Sequence, residues 1–339
     1  MMVYKTIMNL NHWKFRSGFV ALAFCISGFA NAINIDTDKN KLNVIVIITD
    51  DQGWGDLGCY TDGKIKTPNL DRLYEKSFRM NQFYVSPLCA PTRAALISGR
   101  YPEAVRVWDT GRHMNLMDAS VYTLSQAFKD NGYATGFFGK WHTGNTHPRL
   151  PDDLGFDRYS IYGGGISDAV FRTESGQVET KGYREEALFD RALDFIESKK
   201  DETFFTYIAS LVPHDRPSPM CPPEYKDMYA DLNAGEGDKE VYGMMSWFDK
   251  NVGRLFAKLQ ELELSDNTLI VYFSDNGPLR DTDDLVTPWE RNMVTALDIR
   301  NRFNKGLRAG KVSAYYGGVH VPCFIHWPGI SDGGKDIDQ

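Results

Sequence analysis

Five stretches of the chain are almost continuously apolar and rich in β-branched or aromatic residues. They are Leu42–Thr49, Tyr133–Gly139, Phe204–Leu211, Thr268–Ser274 and Val321–Trp327. Runs of this kind, without a polar alternate face, mark strands buried on both sides. Between them lie segments with apolar positions at helical spacing: Pro68–Phe78, Tyr122–Asn131, Tyr183–Lys199 and Lys239–Leu262. Thr67 is placed to cap the first, with Pro68 at its first turn, and Gly132 closes the second. Strands that alternate with helices predict an α/β fold: a mostly parallel central sheet with helices on both faces. No internal repeat or low-complexity stretch interrupts this order.

In such sheets chemistry gathers at the carboxyl ends of the strands. Asp50 and Asp51 end the first run, Lys140 and His142 follow the second, His214 follows the third, and Asp275 and Asn276 end the fourth. Asp50, Asp51, Asp275 and Asn276 make an all-oxygen donor set suited to a hard divalent cation. In isolation Asp50-Asp51 would read as a solvated loop pair, and Asn276-Gly277 as a tight hairpin turn. Their shared position after buried strands favours metal binding instead.

The 339 residues, 42% apolar, suffice for one large soluble α/β domain with little left for a second. A net charge of −7 argues against nucleic acid as a partner, yet leaves room for an anionic substrate held by a local cluster of cations. Lys5, Lys14 and Arg16 precede the apolar run Gly18–Phe29, which is too short to span a bilayer comfortably. Ala30-Asn31-Ala32 then offers a small-x-small cleavage site. This predicts a signal peptide over residues 1–32, export to the periplasm or outside the cell, and no stable membrane anchor. Phe24 before Cys25 is too bulky for a lipidation site. The exported chain keeps Cys59, Cys89, Cys221 and Cys323. If Cys89 is consumed chemically, three remain and at most one disulfide forms.

Cys89 opens the run Cys89-Ala90-Pro91-Thr92-Arg93-Ala94-Ala95-Leu96-Ile97-Ser98-Gly99-Arg100, which has a helical pattern over Pro91–Arg100. A helix starting here would turn its first amides and dipole toward an anion. The run resembles the signature of the type I sulfatases of the alkaline-phosphatase superfamily: Cys-x-Pro-x-Arg, small residues, then Gly-Arg. Gly132-Tyr133-Ala134-Thr135-Gly136-Phe137-Phe138-Gly139-Lys140-Trp141-His142 resembles the second signature, with Phe138 where a smaller residue is usual. Pro213-His214-Asp215-Arg216-Pro217 is similar to the family's Pro-His segment. Leu307-Arg308-Ala309-Gly310-Lys311 and Tyr315-Tyr316-Gly317-Gly318-Val319-His320-Val321-Pro322 resemble the close of the core. Tyr316 stands where the family usually has Glu, and His320 where it usually has Arg.

The resemblance implies a site and a chemistry. Cys89 is oxidised to Cα-formylglycine by a separate formylglycine-generating or sulfatase-maturing enzyme. The aldehyde hydrate has one hydroxyl to attack sulfur and another to expel sulfate. Asp50, Asp51, Asp275, Asn276 and residue 89 hold one Ca²⁺, favoured over Mg²⁺ by the resemblance. Arg93 supports the nucleophile, and His142 bonds the formylglycine hydroxyl and assists collapse. Lys140, His214 and Lys311 bind sulfate, with His214 as general acid toward the leaving oxygen. The implied activity is hydrolysis of sulfate monoesters, as in arylsulfatases, on a sulfated small molecule or polysaccharide. The alternatives are a phosphomonoester or phosphonate hydrolase of the same superfamily, or an inactive glycan-binding homologue. The catalytic domain is expected over residues 42–329, with 330–339 as the end of a C-terminally truncated core that lacks the family's smaller subdomain. Phe171–Tyr183 and Arg280–Arg302 read as irregular polar loops at the substrate.

Overall fold

A computed structural model describes residues 41–111, 113–163, 165–214, 220–279 and 302–338. The signal-peptide segment, Asp215-Arg216-Pro217 and all of the Arg280–Arg302 loop but its last residue therefore lie outside the described residues. Among the described residues ten strands form one sheet: β1 (Asn43–Thr49), β2 (Phe78–Met80), β3 (Ala134–Gly139), β4 (Arg158–Gly163), β5 (Val170–Thr173), β6 (Gly176–Glu179), β7 (Phe204–Ala209), β8 (Thr268–Ser274), β9 (Cys323–His326) and β10 (Lys335–Ile337). Their order is β10-β2-β9-β8-β1-β7-β3-β4-β5-β6. The central strands β8, β1, β7, β3 and β4 run parallel. Antiparallel pairs continue the sheet on either side, through β9 and β2 at one edge and through β5 and β6 at the other.

Every residue of β1, β3, β7 and β8 is buried, as their unbroken apolar runs require. Alternate side chains serve two cores. On β3, Phe138 joins the core under the long helices and meets Phe195, with ring centroids 5.7 Å apart. Phe137 points to the other face, toward Tyr207 and Phe156. The bulky Phe138 thus fills space between sheet and helix. The first face is covered by α1 (Pro68–Glu75), α4 (Arg184–Ser198) and α6 (Glu236–Glu261), with α5 (Pro223–Asp227) against α6. The helices α2 (Cys89–Ser98) and α3 (Leu124–Asp130) lie together, α3 against β3.

Some local expectations change. Thr67 holds the N-cap position of α1, but its hydroxyl accepts from Gly58 N at 2.7 Å and donates to Asp71 Oδ1 at 3.0 Å instead of capping the helix amides. That helix stops at Glu75 because Phe78 pairs with Ile325 in the sheet. Phe171–Tyr183 is no irregular loop over its first half. Phe171 is buried and belongs to a β5–β6 hairpin, turned through Glu174-Ser175 into Gly176 at φ +119°. Its strands are too short for period-two alternation to show. No disulfide forms among the described residues: Cys59, Cys89, Cys221 and Cys323 are all free.

Candidate active site

The carboxyl ends of β1, β8, β7 and β3 meet the amino end of α2. Adjacent residues on an extended strand point to opposite faces. Asp51 instead takes a left-handed conformation, φ +64°, so Asp50 and Asp51 both face the same centre. One acidic oxygen each from Asp50, Asp51 and Asp275, with Cys89 Sγ, lie within 4.8 Å of one another, and all four residues are buried. Asn276 Nδ2 donates to Asp51 Oδ1 at 2.7 Å and to Gly277 O at 2.8 Å. Its Oδ1 is buried with no hydrogen-bond partner. A neutral amide oxygen left open beside three carboxylates is what a hard cation would complete. Gly277 is needed here: a Cβ would lie 1.8 Å from Gly317 O.

Cys89 sits in the first turn of α2, its Sγ 3.4 Å from Asp50 Oδ1. Burial and the neighbouring carboxylates push its thiol pKa up. The unmodified residue is therefore a protonated thiol and a poor nucleophile. Arg93, four residues on and on the same face, is also buried. Its Nε and Nη2 donate to Asp275 Oδ2 at 3.0 and 2.7 Å, Nη2 to Asp50 Oδ2 at 3.3 Å, and Nη1 to Lys140 O at 2.8 Å. Burial and Asp50 raise the Asp275 pKa to about 6, with Arg93 pulling the other way.

Two ammonium groups close the ring of charge. Lys140 Nζ donates to Asp50 Oδ2, and Lys311 Nζ reaches Asp51 Oδ2 at 2.6 Å. Lys140 reaches its place because Gly139, at φ +125°, brings the end of β3 against Ala209, where a Cβ would lie 1.9 Å from the carbonyl oxygen. His214 Nε2 lies 3.3 Å from Lys311 Nζ and 3.7 Å from Asp51 Oδ2. Burial, then Lys311, lowers its pKa below the ordinary histidine value. His142 sits apart from this ring. Its Nε2 is 3.2 Å from Thr110 O, and its Nδ1 is buried without a hydrogen-bond partner. Burial and the cations Lys140 and Arg93 lower its pKa to about 3. A neutral ring whose Nε2–H donates to a carbonyl keeps a lone pair on Nδ1, the tautomer being assigned from that bond. No hydrogen bond joins His142 to Cys89 among the described residues.

Sequence reasoning missed several residues that hold the site. Arg302 is fully buried; its Nη2 donates to Asp51 O at 2.9 Å and Asp56 Oδ2 at 2.6 Å, and its Nη1 to Leu279 O at 3.1 Å. The sequence pattern groups it with a substrate loop, whereas in the fold it braces Asp51. Ser210 donates to Glu185 Oε2 at 2.9 Å and accepts from Val212 N at 2.9 Å, which ties α4 to the loop carrying His214. A buried Glu in a helical first turn leaves no spacing signal that distinguishes it from a solvated one.

The chain matches the sulfatase family over residues 42–336 and belongs to it. It is 27% identical to the N-acetylgalactosamine-6-sulfatase of Canis lupus familiaris, over 88% of this chain and 59% of that protein. It is likewise 27% identical to the N-acetylgalactosamine-6-O-sulfatase of Bacteroides thetaiotaomicron, over 89% of this chain and 71% of that protein. The chain thus spans less than two thirds of the mammalian relative's length. Among solved structures, Ps i-CgsB in complex with k-i-k-neocarrahexaose superposes with a TM-score of 0.76 at 28% identity, covering 88% of this chain and 69% of that one.

Proposed function

We propose that this protein hydrolyses sulfate monoesters on a sulfated carbohydrate, with Cys89 matured to Cα-formylglycine and one Ca²⁺ bound. The observation that carries the reading is the buried cluster of Asp50, Asp51, Asp275 and Asn276 around Cys89, faced by Arg93, Lys140 and Lys311. Three carboxylates meet three fixed cations. A divalent ion would leave this pocket positive, as a sulfate monoester anion needs. When present, the ion would stabilise an ionised hydroxyl at residue 89, and the matured residue would supply that hydroxyl.

The remaining work falls to the chain's own side chains. Arg93 fixes Asp50 and Asp275, so both carboxylates keep their direction as charge moves. Lys140 and Lys311 sit on the two sides of the centre and bind sulfate oxygens as point charges. His142 Nδ1, neutral and buried, is an acceptor for a hydroxyl proton. His214 donates to the leaving oxygen; its lowered pKa makes the imidazolium, once formed, a stronger acid than free histidine. The relatives named as carbohydrate sulfatases support a sulfated glycan as substrate. The basic and apolar N-terminal stretch supports export, to periplasm or medium. Among the described residues no helix is long and apolar enough to cross a membrane.

Mass spectrometry of the peptide containing Cys89, on protein made together with a sulfatase-maturing enzyme, should show the aldehyde in place of the thiol. The same material should cleave sulfate esters in preference to phosphate esters, and Cys89→Ala should be folded and inactive. Full sulfate-ester turnover by Cys89→Ala, or by protein whose thiol is intact, would refute the reading.

A further inference from the structure

A buried chain of hydrogen bonds leads from α4 into the loop that carries His214. The helix packs against β3, β4 and β7. Its first residue is anchored twice: Arg184 N donates to Ile166 O at 2.8 Å, and Arg184 Nη1 to Gly165 O at 3.2 Å. The next residue, Glu185, is fully buried and offers Oε2 to the Ser210 hydroxyl at 2.9 Å. Ser210 stands one residue beyond β7, where its N–H donates to Ile48 O at 3.0 Å and prolongs the pairing with β1. The backbone of Ser210 is thus held by β1 and its side chain by α4.

From there each step toward the histidine is bonded. Ser210 Oγ accepts from Val212 N at 2.9 Å, Val212 O accepts from Asp50 N at 3.0 Å, and His214 N donates to Leu211 O at 2.7 Å. Ser210, Leu211 and Val212 are all buried, so a polar group released here loses its partner without gaining bulk water. The serine oxygen accepts from Val212, so its proton turns to Glu185, and the acceptor on α4 selects the rotamer that reaches Val212. Burial raises the Glu185 pKa, with Arg184 pulling the other way. The arrangement therefore uses an acceptor oxygen at a fixed place and has no need of its charge. A loop clasped in this way delivers His214 with Nε2 3.3 Å from Lys311 Nζ. A general acid works only within hydrogen-bond reach of its target, and a small displacement of such a group costs a large factor in rate.

We propose that Glu185 and Ser210 are positioning residues for His214: the hydrogen bond between them sets the Val212 backbone and so aims the imidazole at the leaving oxygen. The proposal rests on the sulfatase reading above and adds to it two residues that act through the acid.

The test uses the matured protein and two aryl esters. The leaving oxygen of p-nitrophenyl sulfate is weakly basic and needs little help from an acid, whereas that of phenyl sulfate needs the proton. The quantity measured is the ratio of kcat/KM for phenyl sulfate to that for p-nitrophenyl sulfate. It reports the steps up to departure of the phenol, and an unfolded fraction cancels from it. In Ser210→Ala and in Glu185→Leu the ratio should fall tenfold or more. In Glu185→Gln, which keeps an acceptor oxygen, it should stay within threefold of the parent. His214→Ala should lower the ratio at least as far, and adding Ser210→Ala to it should lower the ratio no further, because both changes act on one proton transfer. Ratios within threefold of the parent in both Ser210→Ala and Glu185→Leu overturn the proposal, even where both esters slow together, since a displaced Asp50 would slow them alike. A Glu185→Gln ratio as low as that of Glu185→Leu overturns it as well, and so does a further fall in the double variant. A parent that cleaves neither ester sinks the sulfatase reading itself. A parent that cleaves both, with the ratio unmoved in the variants, leaves that reading standing and removes the positioning pair alone.

Discussion

His142 shows how far a single residue could be read in advance. Its type and spacing after Lys140 mark it as a candidate site histidine, but the sequence holds no sign of its electrostatics. Those come from burial, with Nε2 against Thr110 O, and from two cations, Lys140 two residues earlier and Arg93 on α2. The same holds for Asp51, whose left-handed backbone lets two consecutive carboxylates converge. His142 has a measurable consequence. With a folded pKa of about 3 against an unfolded value near 6.5, it binds its proton more tightly when the chain is unfolded. Its contribution to stability is therefore complete above pH ~6.5 and is lost as pH falls toward the folded value. The loss approaches about 1.4 kcal/mol per pH unit for one proton. His142→Gln should flatten the stability profile between pH 6.5 and 4 by about that slope, measured by urea unfolding at each pH. Parallel profiles for the two proteins would show that the ring is not held neutral by the fold.

At the level of elements, the legible part was the part with long, uniform pattern. The buried runs of β1, β3, β7 and β8 and the helices α4 and α6 followed directly from apolar period, because burial on one or both faces writes itself into many positions at once. Strands β2, β5, β6 and β10, of three or four residues each, were missed because pairing partners decide them, not their own composition. Arg302 belongs with that second group: only the tertiary fold shows that it joins Asp51, Asp56 and Leu279. Removing it leaves the Asp56 carboxylate buried with its charge uncompensated, and loosens the backbone turn at Asp51. Arg302→Ala should cost about 3–5 kcal/mol, the range for breaking a buried pair from one side. Arg302→Lys should restore part of this, since it returns the charge without the fork. Chemical denaturation measures both. A cost under about 1 kcal/mol for the alanine variant would mean that Arg302 does not brace Asp51.

Over the whole molecule, the site draws its oxygens from strand ends far apart in sequence: Asn276 bonds to Asp51 across 225 residues. An ion held there would exist only in the folded chain, because the unfolded chain has no such cluster. It must then stabilise the native state by RT ln(1 + [L]/Kd), about 2.7 kcal/mol at one hundred times Kd. For a domain of this size that corresponds to a rise of about 5 °C in Tm. Ca²⁺ should produce this rise and a chelator should reverse it, whether or not Cys89 has been matured. Mg²⁺ should do less, because it demands strict octahedral geometry and gives up its waters reluctantly. The open Oδ1 of Asn276 makes the effect specific. Asn276→Ala deletes that neutral oxygen together with the Nδ2 donor to Asp51 and Gly277, so it should lower the Tm in chelator and, measured from that lower baseline, weaken the calcium-dependent rise. If calcium shifts the parent and Asn276→Ala equally, the ion binds elsewhere, for instance at the exposed group His147, Asp152 and Asp153. If it shifts neither at millimolar concentration, the acidic cluster is neutralised by Arg93, Lys140 and Lys311 alone and is no calcium site.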